Sequence, residues 1–220
     1  MILQTSGTTG ESKNILQTPE KLKAGNEVAR VSQKITPYST VYTVCKMSHA
    51  GGALAQTLPA QEIGARVDIV DFNAYDFVKN IKNYSHTHIT PKHAKAIMLT
   101  KNFWKLDMSG VWVTCGSDRV TWDIITAFVE RGATFMTNWG MTEVGPCAIN
   151  TVFDSIEKVK QYEANCHSFG TLLGDTVWCD YKIVNEELYV RGDICVYNDW
   201  FKTGDWVDMI DGKLYYFGRK

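Results

Sequence analysis

Apolar positions along this chain follow two rhythms, and they change near residue 170. After Thr18-Pro19, which reads as a helix N-cap and first helical position, Leu22, Val28, Val31 and Ile35 keep roughly helical spacing up to Pro37. That spacing predicts a helix. Short β-rich runs then alternate with helical runs: TVYTVC at 40–45, ALAQTLPAQEIG at 53–64, ARVDIV at 65–70 and AYDFVKNIKNY at 74–84. The alternation continues with THIT at 87–90, KHAKAIML at 92–99, GVWVTC at 110–115, TWDIITAFVERG at 121–132 and ATFMTN at 133–138. Strand and helix taking turns implies an α/β fold with a mostly parallel sheet and flanking helices. Ligands of such sheets bind beyond the carboxyl ends of strands, where the Gly116 and Asn138 segments would lie.

The second rhythm has no helix in it. DTVWCDYKIV at 175–184, EELYVRG at 186–192, DICVYN at 193–198, DWVDMI at 205–210 and KLYYFG at 213–218 read as short strands broken by Gly, Asp and Asn turns. They predict a small antiparallel barrel or meander. The expected organisation is an α/β subdomain over 1–169 and an antiparallel β subdomain over 170–220.

Composition narrows the function classes. Hydrophobic residues make up 45% and charged residues 21% of the 220, the balance of a soluble globular protein. A net charge of -1 gives no broad attraction for nucleic acid or anionic lipid, so a phosphate must be met by a few placed donors. No apolar run approaches the ~18 residues of a membrane span, and the chain turns polar at Gln4, before a signal peptide could form. A cytoplasmic location is expected. Cys45, Cys115, Cys147, Cys166, Cys179 and Cys195 contain no C-x-x-C pair, which argues for reduced thiols and against zinc of ordinary spacing. His86 and His88 would share one face of a strand with His93 nearby. A metal site and structural histidines are both open there, and the lack of a neighbouring carboxylate favours the second.

The polar stretch Ser6-Gly7-Thr8-Thr9-Gly10, with Lys13 behind it, has the makings of a phosphate cradle: glycines admit close approach, amides and hydroxyls donate, and lysine adds charge. A mobile surface loop is the alternative. The Walker A pattern does not apply, because Ser12 stands where its second glycine must be and Asn14 where Ser or Thr is required.

Three further segments follow in order: CGSDR at 115–119, NWGMTEVGP at 138–146 and FKTGDW at 201–206, and the chain closes on FGRK. Together with the polar loop, this set resembles the adenylate-forming (AMP-binding) superfamily of acyl-CoA synthetases, firefly luciferase and nonribosomal peptide synthetase adenylation domains. The family's phosphate loop, T-S-G-T-T-G-x-P-K-G, is matched over residues 5 to 14 except at Ser12 and Asn14. Its Y-G-x-T-E motif is met by Trp139-Gly140-Met141-Thr142-Glu143, with tryptophan for tyrosine.

The resemblance implies a role for each matching residue. Thr5, Ser6, Gly7, Thr8, Thr9, Gly10 and Lys13 would hold the phosphates of ATP. Trp139 would stack on adenine, with Asn138, Gly140 and Met141 beside it and the Gly116-Ser117-Asp118 turn closing the other side. Thr142 would meet the α-phosphate, Glu143 would bind Mg²⁺, Asp205 would bond the ribose hydroxyls, and Arg219 would lie with them. His49, in KMSHAGG, would line the pocket for the carboxylic acid. These roles suit the chemistry: a π face fits a purine, and a hard carboxylate fits a cation shared with phosphates. Read without the family, Trp139 is a half-buried strand-end aromatic, Glu143 a solvated carboxylate and Asp205 a turn residue.

Family members begin before the phosphate loop and continue past the Gly-Arg pair, where a C-terminal domain brings a catalytic lysine. The resemblance therefore implies a minimal AMP-forming carboxylate ligase that turns ATP and an organic acid into an acyl-adenylate and pyrophosphate. Thr142, Glu143 and Lys13 would serve catalysis, with CoA or another thiol as a further acceptor. The alternatives are a non-catalytic ATP/AMP-binding module and a fragment of a longer enzyme. Apolar surface uncovered by the missing parts would call for a homodimer or a complementing chain.

Overall fold

A computed structural model of the chain describes residues 1–5, 13–166 and 170–220. Two short strands, β1 (Ile2–Gln4) and β2 (Asn14–Leu16), form an antiparallel ribbon in which the period of two buries Leu3 and Ile15. Bonds from Thr5 N–H to the Lys13 carbonyl (2.9 Å) and from Lys13 N–H to Thr5 Oγ1 (3.1 Å) close its end. Ser6, Gly7, Thr8, Thr9 and Gly10, the predicted cradle, lie outside the described residues.

Helix α1 (Pro19–Gln33) starts as its signals predict: the Thr18 hydroxyl accepts the Lys21 N–H, and Pro19 needs no partner in the first turn. The face it buries differs from the expected one. Val31 is 58% exposed, whereas Lys21, Asn26, Ala29, Ser32 and Gln33 are buried. The reason is a polar network. Gln33 Nε2 donates to the carbonyl of Ala55, in the π turn at 53–57, at 2.7 Å. Gln33 Oε1 in turn accepts from Gln56 Nε2 (2.8 Å) and Thr114 Oγ1 (2.5 Å).

The main sheet has seven strands. Its parallel part comprises β3 (Thr40–Thr43), β4 (Arg66–Ile69), β5 (His86–Ile89), β6 (Trp112–Gly116) and β7 (Thr134–Met141), as the alternating runs predict. Helical crossovers link them. A helical segment made of α2 (Ala50–Gly52), a π turn at Ala53–Thr57 and α3 (Leu58–Glu62) precedes β4, and α4 (Ala74–Asn80), α5 (Pro91–Met98) and α6 (Trp122–Glu130) follow. Phe77, Phe103, Phe128, Phe135 and Phe153 are fully buried in the core. The sequence reading passed over β8 (Gly145–Phe153), which pairs antiparallel with β7, and α7 (Ile156–Ala164) after it.

Beyond residue 170 the chain serves both sheets. Strand β9 (Thr171–Gly174) joins a second sheet, and β10 (Thr176–Val177) returns to the edge of the first beside β8. The second sheet has five strands, completed by β11 (Asp180–Val184), β12 (Glu187–Arg191), β13 (Phe201–Ile210) and β14 (Lys213–Arg219). Of the two expected antiparallel forms it is the meander. The predicted strand at 193–198 is a set of turns instead. Its backbone donors go elsewhere: Cys195 N–H bonds the Gly192 carbonyl, and Val196 N–H bonds the Glu143 carbonyl. Leu188, Val190, Val207 and Leu214 share a core with Val144, Ile149 and Leu173 of the neighbouring elements. Among the described residues no helix is long and apolar enough to cross a membrane.

Candidate functional site

The parallel strands end on one edge of the main sheet, and two adjoining clefts open there. The first, of about 340 Å³, is lined by Ser117, Asp118, Asn138, Trp139, Asp205 and Arg219 among others. The second, of about 750 Å³, is lined by Thr5, Lys13, His49, Thr142 and Glu143. Ser117, Asn138, Gly140, Met141 and Arg219 border both. The described sequence-predicted residues thus converge on this edge, apart from Gly116, which lines neither cleft. Gly116 packs on Asn138, where an added Cβ would sit 2.5 Å from the Asn138 backbone and side-chain oxygens.

The first cleft is built across the two sheets. Trp139 Nε1 donates to Asp205 Oδ2 at 2.8 Å, and Arg219 Nε lies 3.3 Å from Asp205 Oδ1. Arg219 Nη2 reaches the Thr203 carbonyl at 3.1 Å. Burial pushes the Asp205 carboxyl above its usual range; the Trp139 donor and the Arg219 charge oppose that shift, and Glu187 adds to it. Gly204, with φ of 77°, lies within β13 where its register against β12 shifts, next to Asp205, and its N–H bonds Glu187 Oε1 at 3.1 Å. At the opposite wall Ser117 holds a φ of 74°, a left-handed conformation that costs a non-glycine residue about 1 kcal/mol or more.

The second cleft is organised by the turn between β7 and β8. An added Cβ on Gly140 would lie 2.0 Å from the Gly145 carbonyl, so only glycine lets the hairpin close. The Thr142 carbonyl accepts from Gln17 Nε2 at 3.0 Å and from Lys21 Nζ at 3.2 Å. The Glu143 carbonyl accepts from Val196 N–H at 2.8 Å. With its backbone held by these bonds, the turn places Thr142 and Glu143 in the cleft wall. Lys21 also donates to Gln17 Oε1. Burial lowers Lys21 to about 8, against the negative forms of Cys195 and Glu143. Gln17, Lys21 and the 195–196 turn were absent from the sequence reading. A lysine three residues past an N-cap looks like a surface residue, and no local pattern marks it otherwise.

His49 caps α2 without a side-chain bond to its backbone and borders the second cleft. His88 borders it too, fully enclosed, and burial followed by the neighbouring His93 lowers it to about 4. His86 is tied to Ser85 Oγ and the Gln33 carbonyl, and among the described residues no group of His, Cys, Asp and Glu is arranged to hold a metal on protein ligands alone. Glu143 is a lone hard carboxylate. That donor set fits Mg²⁺, which takes one or two carboxylates and completes its shell with phosphate oxygens and water.

The sequence model of a family described as AMP-binding enzyme matches residues 1–204. Indoleacetate–CoA ligase of Aromatoleum aromaticum is 26% identical over an alignment of 252 positions, covering 100% of this chain and 47% of that protein. The 4-coumarate–CoA ligase-like protein 3 of Oryza sativa subsp. japonica is 29% identical, covering 99% of this chain and 42% of that protein. O-succinylbenzoate coenzyme A synthetase of Bacillus subtilis, solved with ATP and magnesium ion, superposes with a TM-score of 0.81 at 18% identity, over 99% of this chain and 49% of its own. The chain spans less than half the length of these relatives.

Proposed function

Because the chain belongs to the AMP-binding enzyme family, we propose that it binds ATP in the first cleft and activates a carboxylic acid in the second. One observation carries this reading: Trp139, Asp205 and Arg219 meet in a cleft whose wall is shared with that of Lys13, Thr142 and Glu143. Adenine would lie on the Trp139 face, closed by Ser117 and Asp118, with the ribose hydroxyls on Asp205. An ionised carboxylate has free lone pairs for them even while it accepts the Trp139 and Arg219 donors. The phosphates would then run past Met141 to Thr142, Lys13 and the Thr5–Gly10 loop.

In the proposed reaction a carboxylate oxygen attacks the α-phosphorus, the bond to the β-phosphate oxygen breaks, and pyrophosphate leaves. Thr142 would donate to an α-phosphate oxygen as charge builds there, and Lys13 would meet the departing phosphates. Glu143 would hold Mg²⁺, whose charge offsets that of the phosphates. His49 would bound the acid. Both CoA ligase relatives are named for aromatic acids, which makes aromatic carboxylates the first substrates to try and CoA the first thiol acceptor.

Pyrophosphate exchange into ATP, run across a panel of acids with and without Mg²⁺, tests the ligase reading. Exchange that depends on both acid and metal supports it. The second reading is a nucleotide-binding module without turnover. Tight ATP binding with no exchange for any acid would select it. We also propose a homodimer that covers the cross-strand pair Ile2 and Leu16, which are 64% and 61% exposed. A monomer in sedimentation at micromolar concentration contradicts that assembly.

A further inference from the structure

We propose that Lys21 is a positioning residue of this site: a buried cation that fixes the Thr142–Glu143 turn from behind and favours a polyphosphate on the turn's cleft side. The inference rests on the nucleotide reading above and adds to it a residue that the motifs do not contain.

Lys21 is 4% exposed, and its acceptors are neutral oxygens: the Gln17 amide and the Thr142 carbonyl. Among the described residues no carboxylate forms an ion pair with it. A buried ammonium with only neutral acceptors is unfavourable unless an anion lies close by, and such groups concentrate at functional sites. Cys195 does not supply the anion, because burial pushes its thiol to about 11 and leaves it neutral at pH 7. Glu143 supplies part of the compensation. The rest would come from ligand phosphates.

The geometry gives the lysine a second task. Gln17 and Lys21 both leave the segment that follows the polar loop, and both end on one carbonyl, that of Thr142. With Val196 N–H on the next carbonyl, the turn is held at two successive peptides. The segment that follows the polar loop is therefore joined to the Thr142-Glu143 motif through this contact. A charge buried behind the turn is weakly screened, so its effect should grow with the number of charges on the ligand.

Calorimetric titration of adenosine, AMP and ATP at pH 7 into the 220-residue chain, Lys21→Met and Gln17→Met separates charge from scaffolding. Lys21→Met should weaken ATP at least ~10-fold, AMP less, and leave adenosine nearly unchanged. Gln17→Met, which removes one donor from the same carbonyl and leaves the lysine in place, should weaken AMP and ATP by similar factors and leave adenosine nearly unchanged, since only the phosphates would meet that turn. Thermal unfolding of both variants checks that they stay folded; a modest loss is expected, since each leaves a buried polar group short of a partner. If Lys21→Met does not fold, Lys21→Gln, which retains a donor without the charge, carries the same comparison. Equal weakening of all three ligands, or unchanged ATP affinity, overturns the proposal while the nucleotide reading survives. A wild-type chain that binds neither adenosine nor ATP overturns both.

Discussion

Trp139 on β7 donates its indole N–H to Asp205 on β13 over 2.8 Å, so a side-chain bond joins the main sheet to the smaller one in the first cleft. Tyrosine, the residue of the family motif, carries its polar atom elsewhere on the ring. The tryptophan substitution thus keeps a flat face and adds a cross-link to the residue proposed to hold the ribose.

Trp139→Phe should retain most of the nucleotide affinity, because stacking survives while the tether to Asp205 is lost. Trp139→Ala removes both and should weaken AMP by ~10-fold or more, the scale of base stacking on an aromatic side chain. Equilibrium titration of AMP against both variants checks this. Equal losses would mean that the hydrogen bond, rather than the ring face, carries the effect.

Glu143→Ala should abolish the Mg²⁺ dependence of ATP binding and leave AMP affinity intact, since AMP lacks the phosphates that share the ion. Titrations of both nucleotides with Mg²⁺ and with chelator measure it. Metal-dependent ATP binding in the variant would remove Glu143 from that role.

Gly140→Ala places a Cβ 2.0 Å from the Gly145 carbonyl and must force the β7–β8 hairpin apart. A loss of about 2 kcal/mol or more is expected in urea unfolding, accompanied by weaker ATP binding because the Thr142–Glu143 turn sits on that hairpin. Gly25→Ala, with nothing within 4 Å of its added Cβ, is the control.

Acid should destabilise the fold before its carboxylates titrate. Burial holds His88 at about 4 in the native state, below its ordinary 6.5, and lowers His86 as well. The unfolded chain then binds more protons between those values, so stability is full above pH 6.5 and falls as pH drops towards 4. For His88 the loss amounts to about 3 kcal/mol. Urea unfolding at a series of pH values should give a shallower slope in this window for His88→Leu than for wild type; identical slopes would show that His88 is not the group responsible.

Much of this arrangement was legible in the residues. Thr18-Pro19 announced a helix start because cap and proline chemistry are local, and the strands alternating with helices fixed a parallel sheet whose ends hold Gly116 and Asn138. Strand β8 escaped notice because nearly all of it is buried, which erases the alternation that marks a half-exposed strand. The turns at 193–198 misled in the opposite direction, since the apolar run Ile194-Cys195-Val196-Tyr197 reads as a strand but has no neighbouring strand to pair with. Nor could the sequence reveal that Trp139 meets Asp205, 66 positions away, or that Lys21 ends beneath Thr142, since such contacts depend on how the sheets pack. The face of α1 failed for a related reason: Gln33 is buried by bonds to Ala55, Gln56 and Thr114, partners that no local spacing reveals.

The most direct test of the central claim is a crystal structure of the chain with AMP bound. Adenine stacked on the Trp139 ring, with both ribose hydroxyls on Asp205 and the phosphate beside Thr142, is the predicted result. AMP bound at any other place, or a first cleft without AMP at saturating concentration, would contradict it.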